Sequence, residues 1–326
     1  MKAIIYTKYG PPDVLQLKDV EKPTPKEHQL LVKVRAASVN ALDYRRFEKL
    51  SLLGRLMDKV VIKGINKILG TDVAGTVEAV GSSVTAFEPG DEVFGVAPGS
   101  FAEYVCNGAS KFALKPAHVS FEAAAAVPVA AFTALQGLRD KGQIQAGQKV
   151  LIDGASGGVG VFAVQIAKSY RAEVTAVCST RNLEMARTIG ADHVIDYTQE
   201  DFTKNEQCYD LILAVNGHHP ILHYRRALSP QGICVVAGGS LAQVLKAILL
   251  GPLVSRIGSR KIGFMGIATT PQKDLLVFKE LLEAGKLVPI IDKCYPLRET
   301  AIAVRYLVEN HAQGKVIITV NDNDKT

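Results

Sequence analysis

Residues 150–170 read VLIDGASGGVGVFAVQIAKSY, and this stretch decides the fold. It begins as a hydrophobic strand, turns through Gly154, Gly157 and Gly160, and continues as a helix. A turn this tight needs residues without a Cβ atom, so that the backbone can approach a pyrophosphate. The N-terminus of the helix then presents free N–H groups and a positive dipole end to that anion. The spacing G-x-x-G-x-x-G between a strand and a helix therefore predicts a dinucleotide-binding turn.

Strands and helices alternate downstream of this turn. The predicted strands are Val150–Asp153, Val174–Cys178, His193–Asp196, Leu211–Val215 and Ile233–Ala237, and two of the intervening helices are Val159–Tyr170 and Leu183–Ile189. Such alternation is typical of a parallel sheet joined by helical crossovers. We therefore predict an α/β fold with a doubly wound parallel sheet of the Rossmann type.

The residues before position 120 have a different pattern. The segments 32–36 and 73–80 are predicted strands, and Gly-Pro, Pro-Gly and Gly-Ser turns separate such segments. These short strands predict a compact, barrel-like β-rich domain that begins with a strand near Met1. Ser120 is typical of a helix N-cap, and Pro128 must interrupt that helix. The C-terminal part is predicted to hold helices Gln272–Ala284 and Leu297–Val308 and a final strand, Lys315–Val320.

Composition excludes several classes of protein. A chain of 326 residues predicts about two domains, and 48% apolar with 21% charged residues excludes disorder. There is no run of about 20 apolar residues that would span a membrane. The N-terminal apolar segment is too short, and polar residues follow it too early, for a secretory signal peptide. Five scattered cysteines predict reduced thiols in a cytoplasmic protein. The net charge of +6 is too small to indicate nucleic-acid binding.

The end of the second predicted strand indicates which dinucleotide binds. An NAD-binding strand usually ends here with Asp or Glu, which holds the ribose 2′-hydroxyl. In this chain Cys178 is followed by Ser179, Thr180 and Arg181. A hydroxyl and a guanidinium thus stand where a 2′-phosphate would lie. This predicts NADPH; the alternative is that Arg181 only lies on a solvated helix start.

Several motifs in order resemble one known family. They are ASVNALD at 37–43, GTDVAG at 70–75, PGDEV at 89–93, GSFAEY at 99–104, the glycine turn, and GKV at 314–316. The chain resembles a zinc-free medium-chain dehydrogenase/reductase of the quinone oxidoreductase type, and most of all the chloroplast-envelope quinone oxidoreductase and alkenal reductase group. The resemblance implies a β-rich GroES-like barrel domain, formed by both chain ends, beside the Rossmann domain. We expect residues 1–122 and 268–326 to form the GroES-like domain and residues 123–267 to form the Rossmann domain.

The resemblance also implies the site. Asn40 and Asp43 are expected to line the nicotinamide and substrate end as catalytic residues, with Lys315 at the pyrophosphate and Tyr197 beside the 2′-phosphate. The predicted cofactor-binding residues are Asn40, Thr133, Ser156, Gly157, Gly158, Val159, Ser179, Arg181, Tyr197, Asn216, Phe264 and Lys315. No general acid stands out, so water is a candidate proton donor.

The same resemblance predicts that no metal is bound. Zinc-dependent relatives have a cysteine at the position of Asn40, His-Glu at Thr71-Asp72, and another cysteine near Val129. Zinc takes about four N, S or O ligands, and these residues do not supply them. Without a metal, hydride transfer from NADPH to an already activated quinone or α,β-unsaturated carbonyl is the natural chemistry. The alternatives are an NADPH-binding, crystallin-like protein without catalysis and a zinc-type alcohol dehydrogenase.

Three further features each have more than one interpretation. His218-His219 indicates either a metal site or, as we favour, an exposed loop near the cofactor's adenosine. The basic and apolar segment 50–69 is a lid, a membrane-surface helix or a solvated face. The apolar segment 241–263 predicts a subunit contact, and hence a homodimer through Leu241–Leu250, or a substrate-cleft border. A weak peripheral membrane contact is the minority interpretation of 241–263.

Overall fold

The computed structural model describes residues 1–47, 68–310 and 312–320. The chain folds into two compact units. The first comprises Met1–Val129, Thr270–Glu283 and Pro289–Thr326, and the second comprises Ala130–Thr269 and Ala284–Val288. The last residue of the first unit before this boundary, Val129, donates its backbone N–H to Asp72 of the same unit. This places the boundary seven residues after the predicted one and returns a short segment to the second unit.

The described residues form these elements in chain order: β1 (Lys2–Tyr6), β2 (Leu15–Asp19), β3 (Gln29–Val39), α1 (Ala41–Arg45), β4 (Asp72–Val80), β5 (Glu92–Val96), β6 (Tyr104–Gly108), β7 (Phe112–Leu114), α2 (Phe121–Ala126), α3 (Pro128–Gln136), β8 (Lys149–Asp153), α4 (Gly160–Ser169), β9 (Glu173–Cys178), α5 (Leu183–Thr188), β10 (His193–Asp196), β11 (Tyr209–Ala214), α6 (Ile221–Ala227), β12 (Leu228–Val236), α7 (Leu241–Ser255), β13 (Lys261–Phe264), α8 (Gln272–Glu283), β14 (Ile291–Pro296), α9 (Thr300–Glu309) and β15 (Lys315–Thr319).

The first unit is built on a mainly antiparallel sheet. Its order is β14-β15-β3-β4-β5-β7, with β6 also paired to β3. Alternate residues of β3 and β15 are buried in one apolar core, because successive strand residues point to opposite faces. The antiparallel register sets Ser38 opposite Asp72, and it sets Val39 opposite Val316, the residue after Lys315, so polar residues of three strands meet at one end of the sheet. The prediction of a β-rich unit is confirmed, and strands from both ends of the chain contribute to its sheet.

The second unit contains a six-stranded parallel sheet in the order β10-β9-β8-β11-β12-β13. Strands β8 and β11 are buried throughout most of their length, as expected for a sheet covered on both faces. The strand order reverses between β8 and β11, and ligands of such sheets bind at the carboxyl ends of the strands at that point. The predicted doubly wound parallel sheet is confirmed.

Most element boundaries agree with the predictions to within a few residues. Ser120 is an N-cap, since its Oγ accepts the N–H of Ala123, and Pro128 begins a second helix after the first ends. Two boundaries differ. Strand β12 begins five residues early, at Leu228, and the predicted helix from Leu297 is a short 3-10 turn followed by α9. No helix among the described residues is long and apolar enough to cross a bilayer.

Candidate active site and cofactor-binding turn

The glycine turn between β8 and α4 is shaped by backbone packing. Gly154 has a φ of +90°, and its N–H, like that of Ala155, donates to the carbonyl of Val177 at the end of β9. A Cβ atom on Gly160 would lie 2.1 Å from the carbonyl oxygen of Gly154, so only glycine allows the helix to start this close to the turn. The result is a concave backbone that leads into the N-terminus of a ten-residue helix.

The predicted turn residues Ser156, Gly157, Gly158 and Val159 all lie in this concave backbone. Gly157 donates its N–H to Gly154, and the N–H of Val161 donates to Gly157, which starts the helix. The first N–H groups of a helix have no carbonyl partner within it and can bind an anion. The turn therefore fits the pyrophosphate of a dinucleotide.

A buried hydrogen bond fixes the strand end below the turn. Tyr224 donates its hydroxyl hydrogen to Oδ2 of Asp153 over 2.6 Å. Burial raises the pKa of Asp153, although the hydrogen bond from Tyr224 opposes that effect. Gly217 makes this contact sterically feasible, because a Cβ atom there would lie 2.2 Å from the Tyr224 hydroxyl. Asn216, a predicted cofactor residue, is exposed and lies directly beside Gly154.

The carboxyl ends of β9 and β10 bring the predicted 2′-phosphate residues to one region. Ser179 is half-buried, while Arg181 and Tyr197 are exposed. One further residue belongs to this region. Asp196, at the end of β10, pairs with Cys178 and accepts the hydroxyl hydrogen of Thr180 over 2.5 Å. That hydrogen bond lowers the pKa of Asp196, so the carboxylate is charged.

The two adjacent histidines are in different environments. His218 is exposed and its ring stands near that of Tyr197, whereas His219 stacks on His218 and packs edge-on against Phe202 and Tyr224. Burial lowers the pKa of His219, with Asp153 opposing the effect. The prediction of an exposed loop therefore describes His218 and is wrong for His219. Across residues 1–47, 68–310 and 312–320, no group of three or more metal-ligating side chains is present.

In the first unit, a buried polar network surrounds Asp72. Its Oδ2 accepts hydrogen bonds from Ser38 Oγ (2.6 Å) and Asn40 Nδ2 (2.9 Å), and its Oδ1 accepts the N–H of Val129 (2.8 Å). Lys315 donates to Oδ1 of Asn40 over 2.7 Å and lies 3.5 Å from Asp72 Oδ2. Asp72 is a site residue that the sequence alone does not reveal. Asp72 is the first residue of β4 and is buried beside Asn40 and Lys315. Only the fold reveals this position.

The position of Lys315 bears on its predicted role. Only 3% of the residue is exposed, and its ammonium group faces Asn40 and Asp72. Burial lowers its pKa, while the nearby carboxylates of Asp72 and Asp43 oppose that effect. A contact with a pyrophosphate would require this ion pair to open, so that role stays a prediction.

Asp43 is fully buried beside this network. Its Oδ2 accepts the backbone N–H of Asn40 over 2.8 Å, which caps helix α1, and its Oδ1 has no hydrogen-bond partner among the described residues. Burial raises the pKa of Asp43 to about 6; the hydrogen bond from Asn40 and the charge of Arg46 oppose the rise. The predicted catalytic residues Asn40 and Asp43 are thus adjacent and hydrogen-bonded to each other.

The remaining predicted residues lie in the second unit. Thr133 is half-buried in α3, and Phe264 is half-buried at the end of β13, where it pairs with Val236. The segment 50–69 falls outside the described residues, except for Ile68 and Leu69. The segment 241–263 forms α7, a loop and most of β13.

Comparisons with known proteins agree with this architecture. Two family models match: the alcohol dehydrogenase GroES-like domain over residues 26–117 and the zinc-binding dehydrogenase model over residues 189–318. The 2-methylene-furan-3-one reductase of Solanum lycopersicum is 34% identical, over 98% of this chain and 79% of its own length. The chloroplastic NADPH-dependent alkenal/one oxidoreductase of Arabidopsis thaliana is 32% identical, with the same coverage of both chains. The solved quinone oxidoreductase from Coxiella burnetii aligns with a TM-score of 0.85 at 29% identity, over 98% of this chain and 99% of that chain.

Proposed function

The chain belongs to the medium-chain dehydrogenase/reductase family, in its quinone oxidoreductase and alkenal reductase group, and from this we propose that it transfers hydride from NADPH to a quinone or an α,β-unsaturated carbonyl compound. The observation that carries the proposal is the glycine turn, where a Cβ atom on Gly160 would clash with the carbonyl oxygen of Gly154, so that only glycine lets helix α4 start this close to the turn. The relatives named above supply the substrate class.

The second unit holds the cofactor in this proposal. The turn and the start of α4 bind the pyrophosphate, while Ser179 and Arg181 bind the 2′-phosphate through a hydroxyl and a guanidinium. Bound NADPH supplies the hydride. The buried bond between Tyr224 and Asp153 keeps the end of β8 in place under the turn. The described residues offer no exposed acid that geometry assigns to the proton, and we propose water as its source.

The first unit supplies Asn40 and Asp43. The carboxamide of Asn40 is oriented on both sides, by Lys315 at Oδ1 and by Asp72 at Nδ2. Asn40 therefore acts from a fixed position, and we propose that Asp43 holds the adjoining backbone by capping α1.

We further propose that the reaction is independent of zinc. Two of the positions where zinc-dependent relatives have ligands hold Asn40 and Asp72, and both side chains are already hydrogen-bonded to other groups. The ammonium of Lys315 is 3.5 Å from Asp72 and would repel a second cation there. These residues do not fit a zinc ion.

The test is NADPH oxidation at 340 nm with a panel of quinones, enones and alcohols. We expect turnover with quinones or enones, and unchanged rates after chelation. Tight NADPH binding with no turnover on any acceptor would support a crystallin-like protein instead. Stoichiometric zinc, lost together with activity on chelation, would support an alcohol dehydrogenase.

We also propose a homodimer formed through α7 and β13. Strand β13 is an edge strand of its sheet, and α7 exposes Leu245, Ile248, Leu249 and Leu253. Exposed apolar patches and open sheet edges are commonly covered by a partner. Light scattering at micromolar concentration is expected to give a mass near 70 kDa, twice the chain mass of 35.0 kDa.

The cytoplasmic location and the weak membrane contact also remain proposals. All five cysteines are free thiols, which supports a reducing compartment. If α7 instead lies on a lipid surface, the chain will float with anionic vesicles and remain monomeric without them. Cell fractionation of the tagged protein tests the location.

A further inference from the structure

Asn182 is a buried residue that forms one side-chain hydrogen bond. It is 3% exposed, and its Nδ2 donates to Ser179 Oγ over 3.0 Å. Its Oδ1 has no hydrogen-bond partner among the described residues. A buried acceptor without a partner destabilises the folded protein, so stability alone does not explain an asparagine here.

The hydrogen bond determines what Ser179 can do. A serine hydroxyl has one hydrogen to donate, and its oxygen can accept. Because Ser179 Oγ accepts from Asn182, its own hydrogen points away from that amide and is free for another acceptor. A hydroxyl that accepts one hydrogen bond also becomes a stronger donor.

The neighbouring hydroxyl is already engaged. Thr180 donates its hydrogen to the charged carboxylate of Asp196 over 2.5 Å. A 2′-phosphate carries only acceptor oxygens at neutral pH, so it requires donors. Of the two hydroxyls that follow β9, Ser179 is therefore the one available to it.

We propose that Asn182 is a positioning residue that holds Ser179 as a hydrogen-bond donor to the 2′-phosphate, and so sets the preference for NADPH over NADH. This inference rests on the proposed function, since it assumes that the phosphate binds at Ser179. Asn182 acts through Ser179 and does not itself contact the cofactor.

The experiment measures the dissociation constants of NADPH and NADH for five proteins: wild type, Ser179→Ala, Asn182→Ala, the double variant and Asn182→Asp. A hydrogen bond to a charged group is worth about 10- to 150-fold in affinity, so Ser179→Ala should reduce the NADPH preference by at least about tenfold. Asn182→Ala should reduce it about three- to tenfold, since Ser179 loses only its orientation. In the Ser179→Ala background, Asn182→Ala should change the preference less than about twofold.

Asn182→Asp gives the sharpest outcome. An aspartate accepts the hydrogen of Ser179 and places a negative charge beside the phosphate. It should therefore reduce NADPH affinity more than Asn182→Ala does, while sparing NADH. Asn205→Ala is the matched control, since Asn205 donates a hydrogen bond to Glu200 elsewhere in the same unit. This variant should change neither the NADPH nor the NADH dissociation constant.

Thermal melting separates positioning from a structural role. Asn182→Ala should melt at or above the wild-type temperature, because it removes a buried unpartnered carbonyl. The inference is overturned if Asn182→Ala weakens both cofactors equally, or if its effect adds fully to that of Ser179→Ala. If Ser179→Ala itself leaves the preference unchanged, the assigned phosphate site is wrong as well, while NADPH turnover still tests the function.

Discussion

Replacing Asp43 with asparagine should change how the stability of the protein depends on pH. Burial raises the pKa of Asp43 from 3.8 to about 6 in the folded protein. Between these two values the folded state binds more protons than the unfolded state, so stability falls as pH rises. At about 1.4 kcal/mol per pH unit, the complete effect is about 3 kcal/mol, fully developed above pH 6. The Asp43→Asn variant lacks this titration.

The measurement is the free energy of unfolding of wild type and Asp43→Asn at several pH values between 4.5 and 7.5. Urea unfolding followed by far-UV circular dichroism is suitable, since the chain contains no tryptophan. The difference, wild type minus variant, should fall by about 2 kcal/mol across this range. Taking the difference cancels the titration of the groups that do not interact with Asp43.

Asp192→Asn is the matched control with the opposite sign. Burial would raise the pKa of Asp192, but the hydrogen bonds from Lys168 and from the backbone N–H of Val174, together with the charge of Lys168, outweigh this and the pKa is lowered. Its contribution to stability is therefore lost as pH falls. A wild-type-minus-Asp43→Asn difference that stays flat, or rises with pH, would show that the carboxyl of Asp43 is solvated and that our account of its burial is wrong.

Four further predictions concern the cofactor and the subunit contact. Gly160→Ala should weaken the binding of NADPH and NADH alike, by at least about tenfold, because its methyl group meets a backbone carbonyl. Gly108→Ala is the control, since a Cβ atom there would meet only Ser110 Oγ at 4.0 Å, and unchanged affinities of Gly160→Ala would refute the tight turn. Arg181→Ala should weaken NADPH about 10- to 150-fold in titrations and spare NADH, and an equal loss of both would mean that the phosphate lies elsewhere. The wild-type protein should prefer NADPH over NADH by at least about tenfold in kcat/KM. Leu249→Glu, at a position 67% exposed, should convert a dimer to a monomer in light scattering, and an intact dimer would move the contact away from α7.

Much of the second unit was predictable because its signals are local. Side chains of a strand and of a helix repeat with different periods, and the order of apolar residues along the chain reveals which period applies. The alternation of strands and helices could therefore be predicted from the sequence. The spacing of the glycines predicted the turn, because the sequence shows directly which residues lack a Cβ atom. The predicted Leu297 helix start was wrong because a 3-10 turn and an α-helix share the same short-range pattern.

The sequence by itself determined the class of fold, the dinucleotide turn and the residues that follow the second strand. Only the tertiary structure decided how side chains far apart in the chain are paired. Lys315 meets Asn40 across 275 positions because β15 and β3 are neighbours, and Asp196 meets Thr180 because β10 pairs with β9. Likewise, burial of Asp43 depends on the core packed around α1, which no local pattern encodes. Local sterics act within a few residues, whereas burial and charge pairing depend on which strands become neighbours.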